Sequence, residues 1–159
     1  MSPSFYPARK IGSSGGAELW IGSAADAADA AFCRRFGLVV NCTRNLPECP
    51  WAPCLRVPVD DDPDDNDVME RHLPGACRAI RACLRSHRHV LVHCHAGMSR
   101  SASVTAAALV SMGVGSLDAV VRRIKRVKPE TFPIGPLGLP NFWPALLKFT
   151  GRCRGNFLP

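Results

Sequence analysis

The chain has 159 residues, of which 47% are hydrophobic and 21% charged, and its formal net charge is +7. This length supports one domain with a sizeable core, and the lack of an unbroken apolar run of about 18 residues argues against a membrane span. We therefore expect one domain over residues 1–159. Residues 1–6 lack the charged and apolar regions of a signal peptide.

The first half of the chain predicts helices alternating with strands. Ser23 can cap an alanine-rich helix that we expect to run to about Phe36, with Gly37 as its stop. Residues 38–41 then predict a buried strand. Further on, apolar residues recur at helical spacing and predict a helix over residues 70–86 that covers the sheet.

The second half continues this alternation. The leucine and β-branched residues at 90–92 predict a buried strand, and the small apolar residues at 101–112 predict a buried helix. Ser116 and Asn141 are candidate caps of two more helices. Because strands alternate with helices, we expect an α/β fold in which a mostly parallel central sheet has helices on both faces.

The loop between the strand at 90–92 and the helix that follows holds a cysteine, Cys94, six residues before an arginine, Arg100. This spacing alone is expected about 0.8 times by chance in such a chain, but His93 before the cysteine and Gly97 after it make the pattern specific. Successive backbone N–H groups in a loop that opens onto a helix N-terminus form an anion cradle. The segment therefore predicts a phosphate-binding catalytic loop.

Each residue type in this loop suits attack on a phosphate ester. A thiol must be ionised to attack phosphorus, and a helix N-terminus and cations, which favour the thiolate, are both expected beside Cys94. Arg100 can pair bidentately with two phosphate oxygens, and Gly97 allows a sharp turn and close approach. Ser101 can donate a hydrogen bond to the sulfur as it leaves, while His93 is expected to orient the loop. The competing interpretation of Cys94 is a buried structural thiol.

The pattern His93-Cys94-x-Ala96-Gly97-x-Ser99-Arg100-Ser101 resembles the protein tyrosine phosphatase superfamily and, within it, the small dual-specificity phosphatases. Residues 18–23, 39–41 and 57–61 are similar to further landmarks of that family. The resemblance implies hydrolysis of phosphotyrosine and phosphoserine or phosphothreonine in proteins, through a cysteinyl-phosphate intermediate and without metal or cofactor. It implies that the substrate phosphate is bound by His95, Ala96, Gly97, Met98, Ser99 and Arg100.

The resemblance also implies a general acid and residues that orient the loops. A carboxylic acid on a mobile segment can protonate the leaving group and then activate water. Six aspartates compete for this role and the residues alone do not separate them: Asp60, Asp61, Asp62, Asp64, Asp65 and Asp67. Aligned with the family on residues 57–59, the acid is Asp61, with Asp60 and Asp62 as the alternatives. Asn141 joins His93 as an expected loop-orienting residue.

The eight cysteines show neither the spacing of a disulfide framework nor that of a zinc site. Because a catalytic thiolate needs a reducing compartment, we expect the protein in the cytosol, the nucleus or both. The resemblance adds one candidate redox partner, Cys42, at a position where some relatives carry a cysteine that bonds the nucleophile and protects it from overoxidation. The alternative for Cys42 is a packed core thiol.

Charge is distributed unevenly. Residues 60–70 hold 7 of the 13 acids and no lysine or arginine, so the 20 basic residues face only 6 acids elsewhere. Many basic residues lie on two predicted helices: Arg78, Arg81, Arg85 and Arg88 on one, and Arg122, Arg123, Lys125, Arg126 and Lys128 on the other. Such fields can steer phosphorylated substrates, although solvated helix faces, acidic lipids and nucleic acid are alternatives.

Other functions of the same superfamily stay open at this point. They are an RNA 5′-triphosphatase, a phosphoinositide phosphatase and a non-catalytic phosphoprotein-binding module. No recognised nucleic-acid motif is present, which disfavours RNA. The connection at residues 130–140 is longer than is usual in the family, where it passes near the catalytic loop, so we expect it to shape substrate access.

Overall fold

The computed structural model describes residues 7–155; residues 1–6, for which the sequence predicts no signal peptide, lie outside the described part. One five-stranded sheet has the strand order β1-β2-β5-β3-β4, in which only β1 and β2 are antiparallel. This confirms the predicted mostly parallel sheet. The strands are β1 (Arg9–Ser14), β2 (Ala17–Gly22), β3 (Phe36–Asn41), β4 (Cys54–Arg56) and β5 (His89–His93).

Six α-helices are present in the described residues, with one 3-10 turn (Pro63–Asp65) before the third. None of these helices is both long and apolar enough to cross a membrane. They are α1 (Ala24–Ala27), α2 (Ala30–Cys33), α3 (Asn66–Arg85), α4 (Arg100–Ser111), α5 (Leu117–Val127) and α6 (Trp143–Gly155).

Strand β5 is the centre of the sheet, and both of its faces are covered. Val90 and Val92 pack into the larger apolar cluster with residues of α3, α4, α5 and α6. Leu91 points to the other face, where it packs with Cys33 of α2 and Phe36 at the start of β3. A central strand that is buried on both faces has no polar alternation, which explains the continuous apolar run in the sequence. The chain leaves β5 at its carboxyl end, the edge at which parallel sheets place their ligands.

The helix predicted to run from Ser23 to Phe36 is wrong in its length. Ser23 does cap α1, through a reciprocal pair of hydrogen bonds with Asp26, but α1 ends at Ala27. Asp29 then caps the separate helix α2, because its side chain accepts the N–H of Phe32. Gly37 lies inside β3 and stops no helix; the Arg88 side chain occupies the space where a Cβ at this glycine would be.

The cap of the last helix is also corrected. Asn141 makes no capping hydrogen bond; the carboxamide oxygen of Asn66, at the start of α3, accepts the N–H of Ala145 in the first turn of α6. The Asn66 amide nitrogen donates to the carbonyl of Asn141 at 2.6 Å. One side chain therefore caps a helix that lies 79 residues away in the chain. The predicted cap Ser116 is confirmed, since its hydroxyl accepts the N–H of Ala119.

We expect Asn66→Ala to lower the free energy of unfolding by about 1–2 kcal/mol, because α6 loses its capping acceptor and two carbonyls lose a donor. Asn66→Asp keeps the capping oxygen and should recover part of this loss. Urea denaturation of both variants measures the effect. Equal stability of Asn66→Ala and the wild type would show that α6 needs no cap from α3.

Candidate active site

The catalytic loop joins the end of β5 to the start of α4, and its outward carbonyls are bonded to other parts of the chain. The N–H of Ala24 donates to the carbonyl of His95 at 2.9 Å, and the N–H of Phe132 donates to that of Met98 at the same distance. By contrast, the amides of residues 95–98 donate to no acceptor within residues 7–155. These N–H groups lie beside the N-terminus of α4, the arrangement that an anion cradle requires.

Gly97 is required in this loop for two reasons. Its φ is +72°, in the left-handed region that favours glycine. A Cβ at this position would also lie 2.7 Å from the carbonyl oxygen of Gly22, closer than carbon atoms approach such an oxygen. The loop therefore packs backbone against backbone at the end of β2.

The structure brings Cys94 and Ser101 together as predicted. The Cys94 Sγ lies 3.2 Å from the Ser101 Oγ, and either atom can be the donor. Ser101 is fully buried in the first turn of α4, while Cys94 retains 2% exposure. A hydroxyl held in this position can stabilise negative charge on the sulfur.

Arg100 links the catalytic loop to the acidic segment. Its Nη1 donates to the carbonyl of Val59 at 3.1 Å, two residues before Asp61. The Arg100 Nε is buried and has no partner within the described residues. The guanidinium is therefore held at one nitrogen and retains donors for an oxyanion.

His93 has the character of an orienting residue. Its Nδ1 lies 3.4 Å from the carbonyl oxygen of Cys94, and the side chain is 1% exposed. Burial lowers the pKa of His93 to about 4. The ring is neutral near pH 7, which agrees with a role in fixing the loop and disfavours proton transfer by this side chain.

Three aspartates of the acidic run have side-chain partners of their own, either Arg44 or a backbone N–H of the run. Asp60 and Asp65 both pair with Arg44, at 3.3 and 2.8 Å. The hydrogen bond from the Asp60 N–H, together with Arg44, lowers the pKa of Asp65 below its ordinary value. Asp62 accepts the N–H of Asp64 and caps the 3-10 turn. These three side chains have local structural roles.

Asp61 has a different partner. The Asn141 Nδ2 donates to the Asp61 Oδ1 at 2.9 Å and to its carbonyl oxygen at 3.2 Å. Asn141, predicted from the sequence as a loop-orienting residue, thus contacts the acidic segment, and it does not cap α6. These two residues are 80 positions apart, so no local sequence signal reveals the contact.

Cys42 follows the last residue of β3 and is fully buried. Its N–H donates to the carbonyl of His93 at 2.8 Å, so its backbone is paired directly beside the nucleophile. Burial raises the pKa of the Cys42 thiol well above its ordinary value, and the nearby Cys94 acts in the same direction. All eight cysteines of the chain are free thiols in the structure. A disulfide between Cys42 and Cys94 stays a prediction.

The basic residues predicted to form two charged faces are exposed, with one exception. Lys128 follows the end of α5, is 1% exposed and pairs with Glu130 at 2.6 Å. It is a buried structural cation and does not belong to the charged face of α5. No group of three or more histidine, cysteine or acidic side chains in residues 7–155 is arranged to hold a metal ion.

Comparison with known proteins adds a family relationship to this geometry. Residues 19–150 match the model of the dual specificity phosphatase catalytic domain. Mouse dual specificity phosphatase 28 is 37% identical over 135 residues, which cover 82% of this chain and 78% of that protein. The crystal structure of its human counterpart superposes with a TM-score of 0.79 at 32% identity, covering 97% of this chain and 99% of that one.

A second crystal structure is that of a mouse putative dual specificity phosphatase complexed with zinc tungstate. It has a TM-score of 0.80 and 31% identity, and the match covers 98% of this chain and 94% of that one. The likeness therefore extends over nearly the whole chain.

The buried His93 predicts a loss of stability at mildly acidic pH. Its pKa is about 4 in the folded protein and about 6.5 when unfolded, so only the unfolded state gains a proton as the pH falls below 6.5. We expect the free energy of unfolding to fall by about 2 kcal/mol between pH 7 and pH 5. Urea denaturation across this range measures it, and His93→Asn is the control. An equal decline in the variant would assign the effect to other groups.

Proposed function

The chain belongs to the dual specificity phosphatase family, and we propose that it hydrolyses phosphotyrosine and phosphoserine or phosphothreonine in proteins through a cysteinyl-phosphate intermediate. The observation that carries this proposal is the geometry around Cys94. Its sulfur lies 3.2 Å from the Ser101 hydroxyl, at the base of a loop whose amides are not used by the fold. The nucleophile, the anion cradle and the leaving-group donor are thus assembled in one place.

In the first step, the Cys94 thiolate attacks phosphorus, so that an S–P bond forms as the ester P–O bond breaks. The amides of residues 95–99 and the Arg100 guanidinium bind the phosphoryl oxygens, where charge accumulates in the transition state. Asp61 gives its proton to the departing oxygen. The dephosphorylated side chain leaves as an alcohol or phenol.

In the second step, water attacks the phosphorus of the cysteinyl phosphate. The Asp61 carboxylate takes a proton from this water, and the S–P bond breaks to release inorganic phosphate. The Ser101 hydroxyl donates to the Cys94 sulfur as its negative charge returns, at the distance seen in the structure. Ser101 therefore acts mainly in this second step.

Two further observations support a phosphorylated substrate. The crystal structure of the mouse putative phosphatase is a complex with zinc tungstate, and tungstate is a tetrahedral oxyanion with the shape of phosphate. In addition, the arginines of α5 and α3 are exposed, and such a positive surface favours phosphorylated proteins. Phosphopeptides, phosphoinositides and RNA 5′-triphosphates, tested side by side, decide between the proposed activity and its relatives.

The compartment is also part of the proposal. Eight free thiols, one of them the nucleophile, suit the reducing conditions of the cytosol or nucleus. Immunofluorescence of the tagged full-length chain tests this assignment. A signal from the secretory pathway would contradict it.

Substitution of Cys94 and Asp61 tests the assigned roles. We expect Cys94→Ser to lower kcat for an aryl phosphate by about 1000-fold or more, since serine is not ionised near pH 7. We expect Asp61→Ala to lower kcat by about 100-fold. Asp60→Ala is the matched control, because that side chain pairs with Arg44 at the surface, and it should stay near wild type.

The reverse pattern, with loss in Asp60→Ala and near-normal turnover in Asp61→Ala, would reassign the acid. Near-normal turnover of Cys94→Ser would exclude the cysteinyl-phosphate route. A wild-type protein that binds phosphopeptides without turnover would be a binding module.

Peroxide treatment tests the proposed pairing of Cys42 with Cys94. Peroxide oxidises the Cys94 thiolate to a sulfenic acid, and attack of the Cys42 thiolate on that sulfur would form the disulfide and expel hydroxide, which takes up a proton to become water. Because burial raises the pKa of Cys42, we expect the rate of disulfide formation to rise about tenfold for each pH unit. Mass mapping measures the disulfide, with Cys42→Ser as control. Sulfinic acid on Cys94 without any Cys42 adduct, at every pH, would contradict the pairing.

A further inference from the structure

The connection between α5 and α6, residues 128–142, touches both halves of the candidate active site; we call it the bridging segment. Its beginning is anchored by charge. Lys128 pairs with Glu130, and the Lys125 Nζ donates to the carbonyl of Thr131 at 2.6 Å. The next residue, Phe132, donates its N–H to the Met98 carbonyl of the catalytic loop. The first contact with the active site is therefore made by a fixed piece of backbone.

The end of the bridging segment holds the acid. Asn141 donates to Asp61 through its side chain, while its own carbonyl accepts from the Asn66 side chain at 2.6 Å. Only eight residues thus lie between Phe132, which contacts the catalytic loop, and Asn141, which contacts the proposed general acid. Within the described residues, the acid and the catalytic loop are joined in this way by a short stretch of chain.

The middle of the bridging segment folds back on itself. Ile134 and Pro140 form an isolated antiparallel bridge, and the N–H of Gly135 donates to the carbonyl of Leu139 at 2.8 Å. This fold brings Gly135 against the side chain of Asn141. A Cβ at Gly135 would overlap the Asn141 Oδ1.

Gly135 is not needed for its backbone conformation, because its φ lies outside the left-handed region. What it supplies is space. The Asn141 Oδ1 is buried against it without a hydrogen-bond partner in residues 7–155, while the Nδ2 of the same amide faces Asp61. The opposite orientation of the amide would set its oxygen against the carboxylate of Asp61 and repel it.

We propose that Gly135 is a positioning residue for proton transfer, because the room that it leaves allows the Asn141 amide to hold Asp61. The proposal rests on the assignment of Asp61 as general acid. The Nδ2–H of Asn141 donates to the Asp61 Oδ1, so in the protonated acid Oδ1 is the carbonyl oxygen and the proton is carried on Oδ2. Gly135 therefore determines, through Asn141, which oxygen delivers the proton to the leaving group.

Gly135→Ala tests this proposal with two substrates. A poor leaving group needs the acid more than a good one, so we expect kcat to fall about tenfold for phenyl phosphate and about twofold for p-nitrophenyl phosphate. We expect KM and inhibition by vanadate to stay unchanged, since the phosphate cradle is not altered. Gly151→Ala is the matched control, because nothing lies within 4 Å of a Cβ at that glycine. Its kcat and KM should stay at wild-type values for both substrates.

A double substitution distinguishes action through Asn141 from a general disturbance of the segment. Asn141→Ala should reproduce the dependence on the leaving group, and Gly135→Ala should then add no further loss. Additive losses, equal losses for both substrates, or weaker vanadate inhibition would overturn the proposal. If Gly135→Ala does not fold, Asn141→Ala alone tests the proposal. Equal losses of kcat for phenyl phosphate and p-nitrophenyl phosphate in Asn141→Ala would then overturn it.

Failure of the proposed function gives a different result. In that case the wild type hydrolyses neither aryl phosphate, or Asp61→Ala keeps full activity. If the wild type is active and Asp61→Ala is impaired, an unchanged Gly135→Ala disproves the positioning role alone.

Discussion

The catalytic loop depends on which of its backbone groups are hydrogen-bonded within the protein. Its carbonyls at His95 and Met98 face outward and accept hydrogen bonds from Ala24 and Phe132, while its amides are left for an anion. A loop with this many unpaired N–H groups is unfavourable unless the rest of the protein fixes it. The capped turn at Ser23 and the bridging segment supply that support from opposite sides. The loop that carries Cys94 is therefore positioned by contacts from outside the loop, which the proposed mechanism does not use.

The acidic segment is also held by other parts of the chain, and here the contacts are made by arginine side chains. Arg44 holds Asp60 and Asp65, and Arg100 holds the carbonyl of Val59. Asp61 lies between these held residues. Its side chain accepts a hydrogen bond from the Asn141 amide and forms no ion pair within residues 7–155. Three of the six aspartates, Asp60, Asp62 and Asp65, thus have structural roles. They order the segment that carries Asp61, the acid of the proposed mechanism.

Features encoded within a few residues could be predicted from the sequence. The contact between Cys94 and Ser101, the left-handed Gly97 and the cap Ser116 belong to this group, because residue type and spacing within one loop or one helical turn are enough to indicate them. The contact between Asn141 and Asp61 could not be predicted, since the two residues meet only after the helices have packed. The burial of Lys128 could not be predicted for a related reason. Its partner Glu130 lies only two residues away, but a lysine charge suggests solvent exposure, and the packing that covers the Lys128 side chain comes from the tertiary fold.

Strand β5 belongs to two hydrophobic clusters at once, with Val90 and Val92 in one and Leu91 in the other. The two cores therefore share the element that carries the catalytic loop. Because one strand joins both clusters, opening of either cluster would displace the loop that carries Cys94 while the other cluster is still packed. Activity then reports the integrity of the whole domain, and inactivation curves follow the earliest opening of either core.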